Sequence, residues 1–291
     1  MNPAGGSPTP LVAIVGPTAS GKSALGIWLA QRLGGEVVVC DSTQVYRHFD
    51  IGTAKLAPQE RHGIPHHMLD LVEPDEVFTA GDYRRRAEEV LADLRRRARL
   101  PLITVGTGLY LRALLEGLAD APERSEELRA RLHERATRRG PAHLHRILRR
   151  LDRVAAARIA PQDQPKLIRA IEVCLLARKP ITELHRAGRM PLEGFHAVKI
   201  GLMPPRAALY ERIHRRVDAM LERGWLDEVK ALVTRAWPPA AKPFQFIGYR
   251  ELRAHLEGEV SLTEALEAIQ KNTRRYAKRQ LTWFRKEAGV R

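Results

Sequence analysis

Residues 16–23 read Gly16-Pro17-Thr18-Ala19-Ser20-Gly21-Lys22-Ser23, two glycines bracketing four residues and followed by a lysine and a hydroxyl. Glycine at both ends lets the backbone fold tightly, so that successive N–H groups face the oxygens of a phosphate. Lys22 brings positive charge to the terminal phosphates, and the Ser23 hydroxyl suits Mg²⁺. A helix starting at Lys22 would add the positive end of its dipole. The pattern calls for a phosphorylated ligand with Mg²⁺ without naming that ligand. A second group able to do chemistry is Asp41, directly after the apolar run Val37-Val38-Val39-Cys40. A carboxylate at a strand end can organise Mg²⁺; its plainer reading is a cap on the segment that follows.

Both groups need a scaffold that brings strand ends together. Leu11–Val15 has the pattern of a short buried strand, the phosphate loop follows it, and Ala24 to Leu33 is amphipathic at helical spacing. Val37–Cys40 reads as a second strand, and 42–80, rich in Gly, Pro and His, as mostly loop. A charged helix is expected from about Gly81 to Arg99, with Tyr83, Ala87, Val90, Leu91 and Leu94 on its apolar face, then a strand at Leu102–Val105. Strands alternating with helices predict an α/β fold, a doubly wound parallel sheet like that of the P-loop NTPases, with ligands at the carboxyl ends of the strands. From about Asp120 to Gly188 there is only helical periodicity with dense arginine. Ala197–Leu202 is one more strand, and helices follow, the last from about Leu262 to Glu287. The expected organisation is a flexible tail at 1–10, an α/β catalytic core at 11–119 and 191–291, and an all-helical insertion at 120–190. A phosphate-loop kinase or NTPase is the first functional class this suggests.

The 291 residues carry 49 Lys and Arg against 34 Asp and Glu, a net charge of +15. The surplus has two readings, a polyanionic partner such as nucleic acid or an arginine-biased genome, since 39 of the 49 are arginine. Its distribution separates them: residues 1–120 carry a net −1, 121–160 +6, 161–269 +3 and 270–291 +7. Codon bias alone would spread the charge more evenly. No apolar run approaches the roughly 18–20 residues that span a bilayer, so no membrane partner is expected. Only Cys40 and Cys174 are present and the N-terminus lacks a basic, then apolar leader. A disulfide scaffold and a multi-cysteine zinc site are therefore excluded, and a reducing, cytoplasmic location is expected. His66-His67 has no third ligand at useful spacing and reads as structuring its loop.

More specific than the phosphate loop is Asp41-Ser42-Thr43-Gln44-Val45-Tyr46-Arg47, followed by Asp50-Ile51-Gly52-Thr53-Ala54-Lys55. Further along come His66-His67-Met68-Leu69-Asp70, Gly106-Thr107-Gly108-Leu109-Tyr110-Leu111 and Gln245-Phe246-Ile247-Gly248-Tyr249-Arg250. With Thr273-Arg274-Arg275-Tyr276-Ala277-Lys278-Arg279-Gln280-Leu281-Thr282-Trp283-Phe284, they make the chain resemble the tRNA dimethylallyltransferases (tRNA isopentenyltransferases) over about residues 11–286.

The resemblance implies transfer of a dimethylallyl group from dimethylallyl diphosphate to N6 of adenosine 37, next to the anticodon of a tRNA. An adenine amine is a poor nucleophile because its lone pair is delocalised into the ring, so a carboxylate that takes its proton helps; the family pattern gives this role to Asp41. Lys22 is the second catalytic residue it implies. Gly16, Pro17, Thr18, Ala19, Ser20, Gly21, Lys22 and Ser23 would then bind the diphosphate of the donor, with Mg²⁺ on Ser23. Asp41, Ser42, Thr43, Gln44 and Thr107 would meet the tRNA, as would Arg129 and the run Pro165, Lys166, Leu167, Ile168 and Arg169 in the insertion. Arg216 or Arg250 would reach the diphosphate. The partner implied is an anticodon stem-loop, held by the insertion against the core with the target base flipped from its stack. No obligate protein partner is evident, and a monomer is expected.

The chain departs from the family pattern in places. Val105 stands at the first position of the usual Gly-Gly-Thr-Gly, Pro165 replaces a commoner Gln, and Trp225 a commoner Leu. Phe244 and Phe246 flank Gln245 where smaller residues are usual, which would narrow the pocket. The zinc finger appended in eukaryotic members has no C-x₂-C pair here, which points to a bacterial-type enzyme. Two other classes stay open: an adenylate isopentenyltransferase or other small-molecule P-loop kinase, and a non-catalytic RNA-binding protein. The basic insertion and last helix argue against the former; Asp41 and the intact loop argue against the latter.

Overall fold

The computed structural model describes residues 7–235 and 237–291. The chain divides into two compact units, one formed by Met1–Leu115 with Leu192–Arg291 and the other by Glu116–Pro191.

The first unit is built on five strands, β1 (Thr9–Val15), β2 (Gly35–Cys40), β3 (His66–His67), β4 (Leu100–Val105) and β5 (Phe195–Gly201). They form one sheet in the order β3-β2-β4-β1-β5, and every pairing is parallel. All six residues of β2 are buried, as expected of a parallel strand covered on both faces. Residues Thr9 and Pro10, read from sequence as tail, belong to β1 and lie opposite Phe195 and His196. Proline fits there because it sits at the exposed start of the strand, before the buried part begins at Leu11, where a missing N–H is tolerated; residues 1–6 of that expected tail lie outside the described residues. Strand β3 falls inside the segment expected to be loop. Its two histidines continue the edge of the sheet beside Val37 and Val38, and His67 Nε2 lies 2.7 Å from Glu36 Oε2.

Three helices follow the strands in the first half. α1 (Lys22–Leu33) leaves the phosphate loop and ends at Gly34, whose φ of 63° suits a glycine cap. α2 (Ala80–Arg96) starts with a reciprocal Thr79–Asp82 cap and buries Tyr83, Ala87, Leu91 and Leu94, the face its periodicity predicts. α3 (Gly108–Leu115) closes this half.

The second unit is all helical: α4 (Glu126–Arg139), α5 (Pro141–Leu151), α6 (Arg153–Arg158), α7 (Gln164–Ala177) and α8 (Ile181–Arg186). Leu132, Leu144, Leu148, Leu167, Ile168 and Ile171 form its core. Inside it lies the fully buried Glu172, which accepts hydrogen bonds from Arg129 Nε at 3.0 Å, Arg169 Nη1 at 2.7 Å and Ser125 N at 2.9 Å. Burial pulls this carboxyl upward, but the two arginines and the backbone donor prevail and hold it below its usual pKa.

Back in the first unit, α9 (Arg206–Glu222), α10 (Trp225–Val233), α11 (Tyr249–Leu256) and the 23-residue α12 (Leu262–Phe284) complete the fold. Trp225, Phe244, Tyr249 and Phe49 share a second core, with the Phe49 and Tyr249 rings 4.7 Å apart. Phe244 is packed inside this core, so it buttresses the 42–55 loop through Phe49 and does not narrow a pocket. Phe246 contacts Tyr46 and Phe49 edge-on from the same side.

Candidate active site

The phosphate loop begins where β1 ends. Gly16 has φ 153°, and a methyl group on its Cα would stand 2.6 Å from the Leu202 carbonyl oxygen, so only glycine fits. Gly21 turns at φ 96° to start α1. Lys22 folds back over the loop, donating from Nζ to the Pro17 carbonyl at 2.7 Å. Burial pushes its pKa down to about 8, against the pull of the Asp41 carboxylate, with Arg216 pushing in the same direction as burial. The Ser20 hydroxyl is buried and has no hydrogen-bond partner among the described residues, an arrangement that calls for a ligand oxygen.

Asp41 follows β2 directly. Its Oδ1 accepts from Thr43 N at 2.8 Å and Thr43 Oγ1 at 2.7 Å, while its Oδ2 takes no hydrogen bond among the described residues. Oδ2 rests instead over Gly106, just beyond β4, where any Cβ would collide with it. Thr107 Oγ1 accepts from Ser42 N at 2.9 Å and lies 3.1 Å from Ser42 Oγ. The backbone N–H groups of Gly106 and Thr107 both donate to the Cys40 carbonyl, at 2.9 and 3.0 Å. Two hydrogen-bonded pairs, Asp41 with Thr43 and Ser42 with Thr107, thus lie side by side at the ends of β2 and β4. Gln44 is turned elsewhere: its Nε2 donates to the Thr53 carbonyl at 2.9 Å, which ties down the Asp50–Lys55 segment.

That segment has two further anchors. Glu228 Oε2 accepts from Asp50 N at 3.1 Å and Ile51 N at 2.7 Å, and Lys55, buried, pairs with Asp50 at 2.7 Å and Asp70 at 2.5 Å. Glu228 is absent from any sequence motif that singles it out, because it meets its partners from 178 positions away.

Helices α9 and α12 supply the rest of the site. Arg216 Nη1 donates to Thr18 Oγ1 at 3.2 Å, and Asp41 acts on its charge; Arg250 instead pairs with Glu251 at 2.7 Å. Of the two arginines the sequence leaves open, Arg216 is the one at the phosphate loop. On α12, Gln280 Oε1 accepts from Thr18 N at 2.8 Å, and Gln280 Nε2 donates to the Gly106 carbonyl at 2.8 Å. Gln280 carries no role in the motif that contains it; the available signal is an amide directly after Lys278-Arg279 and four positions after Tyr276.

The second unit treats its expected RNA contacts unequally. Leu167 and Ile168 are fully buried in its core, so their side chains are not available to a ligand. Arg129 and Arg169 are committed to Glu172. Pro165 occupies the first turn of α7, and Lys166 pairs with the helix-capping Asp163 at 2.6 Å. By contrast, Arg146, Arg149, Arg150 and Arg153 are exposed and have no carboxylate partner among the described residues.

For a metal, no group of three or more His, Cys, Asp or Glu side chains comes together among the described residues. The oxygens near the loop do fit Mg²⁺: the exposed Ser23 hydroxyl and the open Asp41 Oδ2 are hard donors, and Mg²⁺ commonly keeps waters and phosphate oxygens as its other ligands. No helix among the described residues is long and apolar enough to cross a membrane.

Comparison with known proteins matches this arrangement to a family. The tRNA dimethylallyltransferase of Koribacter versatilis is 54% identical over 97% of this chain and 91% of its own. That of Solibacter usitatus is 52% identical over 96% and 90%. Among solved structures, the tRNA isopentenylpyrophosphate transferase of Bacillus halodurans superposes with a TM-score of 0.70 at 42% identity, covering 96% of this chain and 88% of that one. A eukaryotic dimethylallyltransferase acting on tRNA superposes with a TM-score of 0.83 at 30% identity, over 95% and 70%. The IPP transferase model matches residues 44–287, and with relatives this similar along nearly the whole length, the chain belongs to the IPP transferase family.

Proposed function

We propose that this chain transfers a dimethylallyl group from dimethylallyl diphosphate to N6 of adenosine 37 of tRNA, releasing diphosphate. One observation carries the chemical reading: Asp41 spends Oδ1 on Thr43 and leaves Oδ2 open, while its charge acts on both Lys22 and Arg216 beside the phosphate loop. A proton acceptor and a diphosphate cradle therefore share one site. The names of the relatives, tRNA dimethylallyltransferases, support the same substrates.

In this reading, the backbone N–H groups of Ala19, Gly21, Lys22 and Ser23, the Ser20 hydroxyl and the Lys22 side chain hold the donor diphosphate, and Arg216 faces it from α9. As the allylic C–O bond breaks, Lys22 and Arg216 neutralise the charge that grows on the leaving group. Ser23 would hold Mg²⁺ against the diphosphate, and the bound ion would add positive charge at the same oxygens. Asp41 Oδ2 orients the adenine amine and takes its proton as the new C–N bond forms, and Thr43 keeps the carboxylate pointed at it. Ser42 and Thr107 present hydroxyls beside the base. The exposed arginines of α5 and α6 offer a surface for the phosphate backbone of the tRNA. The protein works as a monomer in the cytoplasm.

The test is incubation with dimethylallyl diphosphate, Mg²⁺ and total bacterial tRNA, then mass analysis of the nucleosides. N6-dimethylallyladenosine from tRNA and none from free AMP is the expected result. Prenylation of AMP with tRNA untouched would replace this reading with a small-molecule transferase.

A further inference from the structure

We propose that Gln280 is a positioning residue that sets the separation between the donor-binding loop and the acceptor-binding loop. The inference rests on the proposed reading of Gly16–Ser23 as the donor site and of Asp41 with Thr107 as the acceptor site.

Gln280 is only 6% exposed, and both ends of its amide are used. Its oxygen takes the Thr18 N–H and its nitrogen reaches the Gly106 carbonyl, each at 2.8 Å. The two loops leave paired strands at Val15 and Val105, but beyond those residues no hydrogen bond joins them directly among the described residues, so this amide is the link between the loops themselves. Each end is reinforced from one side only: Arg216 adds a bond to Thr18 Oγ1 at 3.2 Å, and Tyr276, one turn earlier on α12, adds one to the Gly106 carbonyl at 3.4 Å. Gly106 is also the residue on which Asp41 Oδ2 rests. Movement of one loop relative to the other would therefore shift the base carboxylate against the phosphates.

Only an amide fits both ends. It offers one acceptor and two donors on a rigid plane. A carboxylate would face the Gly106 carbonyl with a second oxygen, and an ammonium would face the Thr18 N–H with a donor. Transfer needs reacting atoms about 3–3.5 Å apart and aligned, so a loosened spacing costs rate while each substrate still finds its own loop intact.

Two full-length variants test this, Gln280→Leu, similar in volume but without polar atoms, and Gln280→Glu. For Gln280→Leu, single-turnover transfer at saturating substrates should fall about 10–100-fold. Dissociation constants for inorganic diphosphate and for tRNA should stay within a few-fold of wild type. For Gln280→Glu, the rate should recover as pH falls from 7 to 5, because protonation restores a donor toward Gly106; wild type should show no such gain. A wild-type rate in Gln280→Leu, or a loss matched by equal losses in both affinities, overturns the proposal. Should Gln280→Leu not fold, the pH profile of Gln280→Glu decides: recovery supports the link and a flat profile refutes it. Wild type that makes no prenylated tRNA at all would instead refute the donor and acceptor reading on which the link rests.

Discussion

The Asp41 carboxylate rests on Gly106 so closely that one added methyl group at position 106 would overlap its Oδ2. Gly106 lies outside the left-handed region, so alanine there strains no backbone; its whole effect falls on the carboxylate. Gly106→Ala should lower kcat about 10–100-fold, with a Tm close to wild type. Unchanged kcat would show that the close packing of Asp41 has no part in turnover.

Lys22 gives the site a pH dependence whose sign is fixed. Its pKa is lowered to about 8, so the free site carries the positive charge below that pH and loses it above. An anionic ligand favours the charged form, so binding takes up a proton above pH 8 and affinity for dimethylallyl diphosphate should fall as pH rises through that range. The phosphate's own second ionisation, near pH 6, lies well below this window. Calorimetric titrations in buffers of different ionisation enthalpy measure the proton uptake directly. Lys22→Arg, charged throughout, should abolish it; persistence in that variant would assign the proton to another group.

Glu172 and Arg129 are a stability element of the helical unit. Removing the carboxylate leaves two arginines facing a buried position, so Glu172→Ala should destabilise the unit by about 3–5 kcal/mol. Arg129→Ala should also lower the melting temperature while leaving the salt dependence of tRNA binding unchanged. A shallower salt slope for Arg129→Ala, with normal stability, would make Arg129 an RNA contact after all.

The exposed arginines behave in the opposite way. Replacing Arg149, Arg150 and Arg153 together by Gln should weaken tRNA binding at low salt and reduce the slope of log K against log salt by about 2–3, since each phosphate contact contributes roughly 0.7–0.9. Thermal stability should hardly move, because none of the three has a carboxylate partner among the described residues. An unaltered slope would remove this face from the RNA surface.

What was legible in the sequence was what local spacing encodes. The apolar run of β1, the two glycines and α1 are contiguous, and Asp41 follows β2 by one position, so strand, loop, helix and the carboxylate at the strand end all follow from the order of residues. β3 escaped because two histidines carry no strand period; they become a strand only because β2 offers an edge. The pairing of Arg129 with Glu172 spans 43 positions, and a count of arginines says nothing about which of them are already satisfied. Leu167 and Ile168 did carry a signal, since with Ile171 they mark the buried stripe of α7. The link from Thr18 through Gln280 to Gly106 joins three distant segments, and only the folded chain brings them together.

In the proposed reaction Asp41 takes a proton in a site whose phosphate loop holds the prenyl donor. Single-turnover formation of N6-dimethylallyladenosine by wild type and Asp41→Asn, with tRNA and dimethylallyl diphosphate both saturating, tests it most directly. Asp41→Asn should lose about 10²–10⁴-fold in rate, with tRNA affinity within a few-fold of wild type. Equal rates in the two proteins would contradict it.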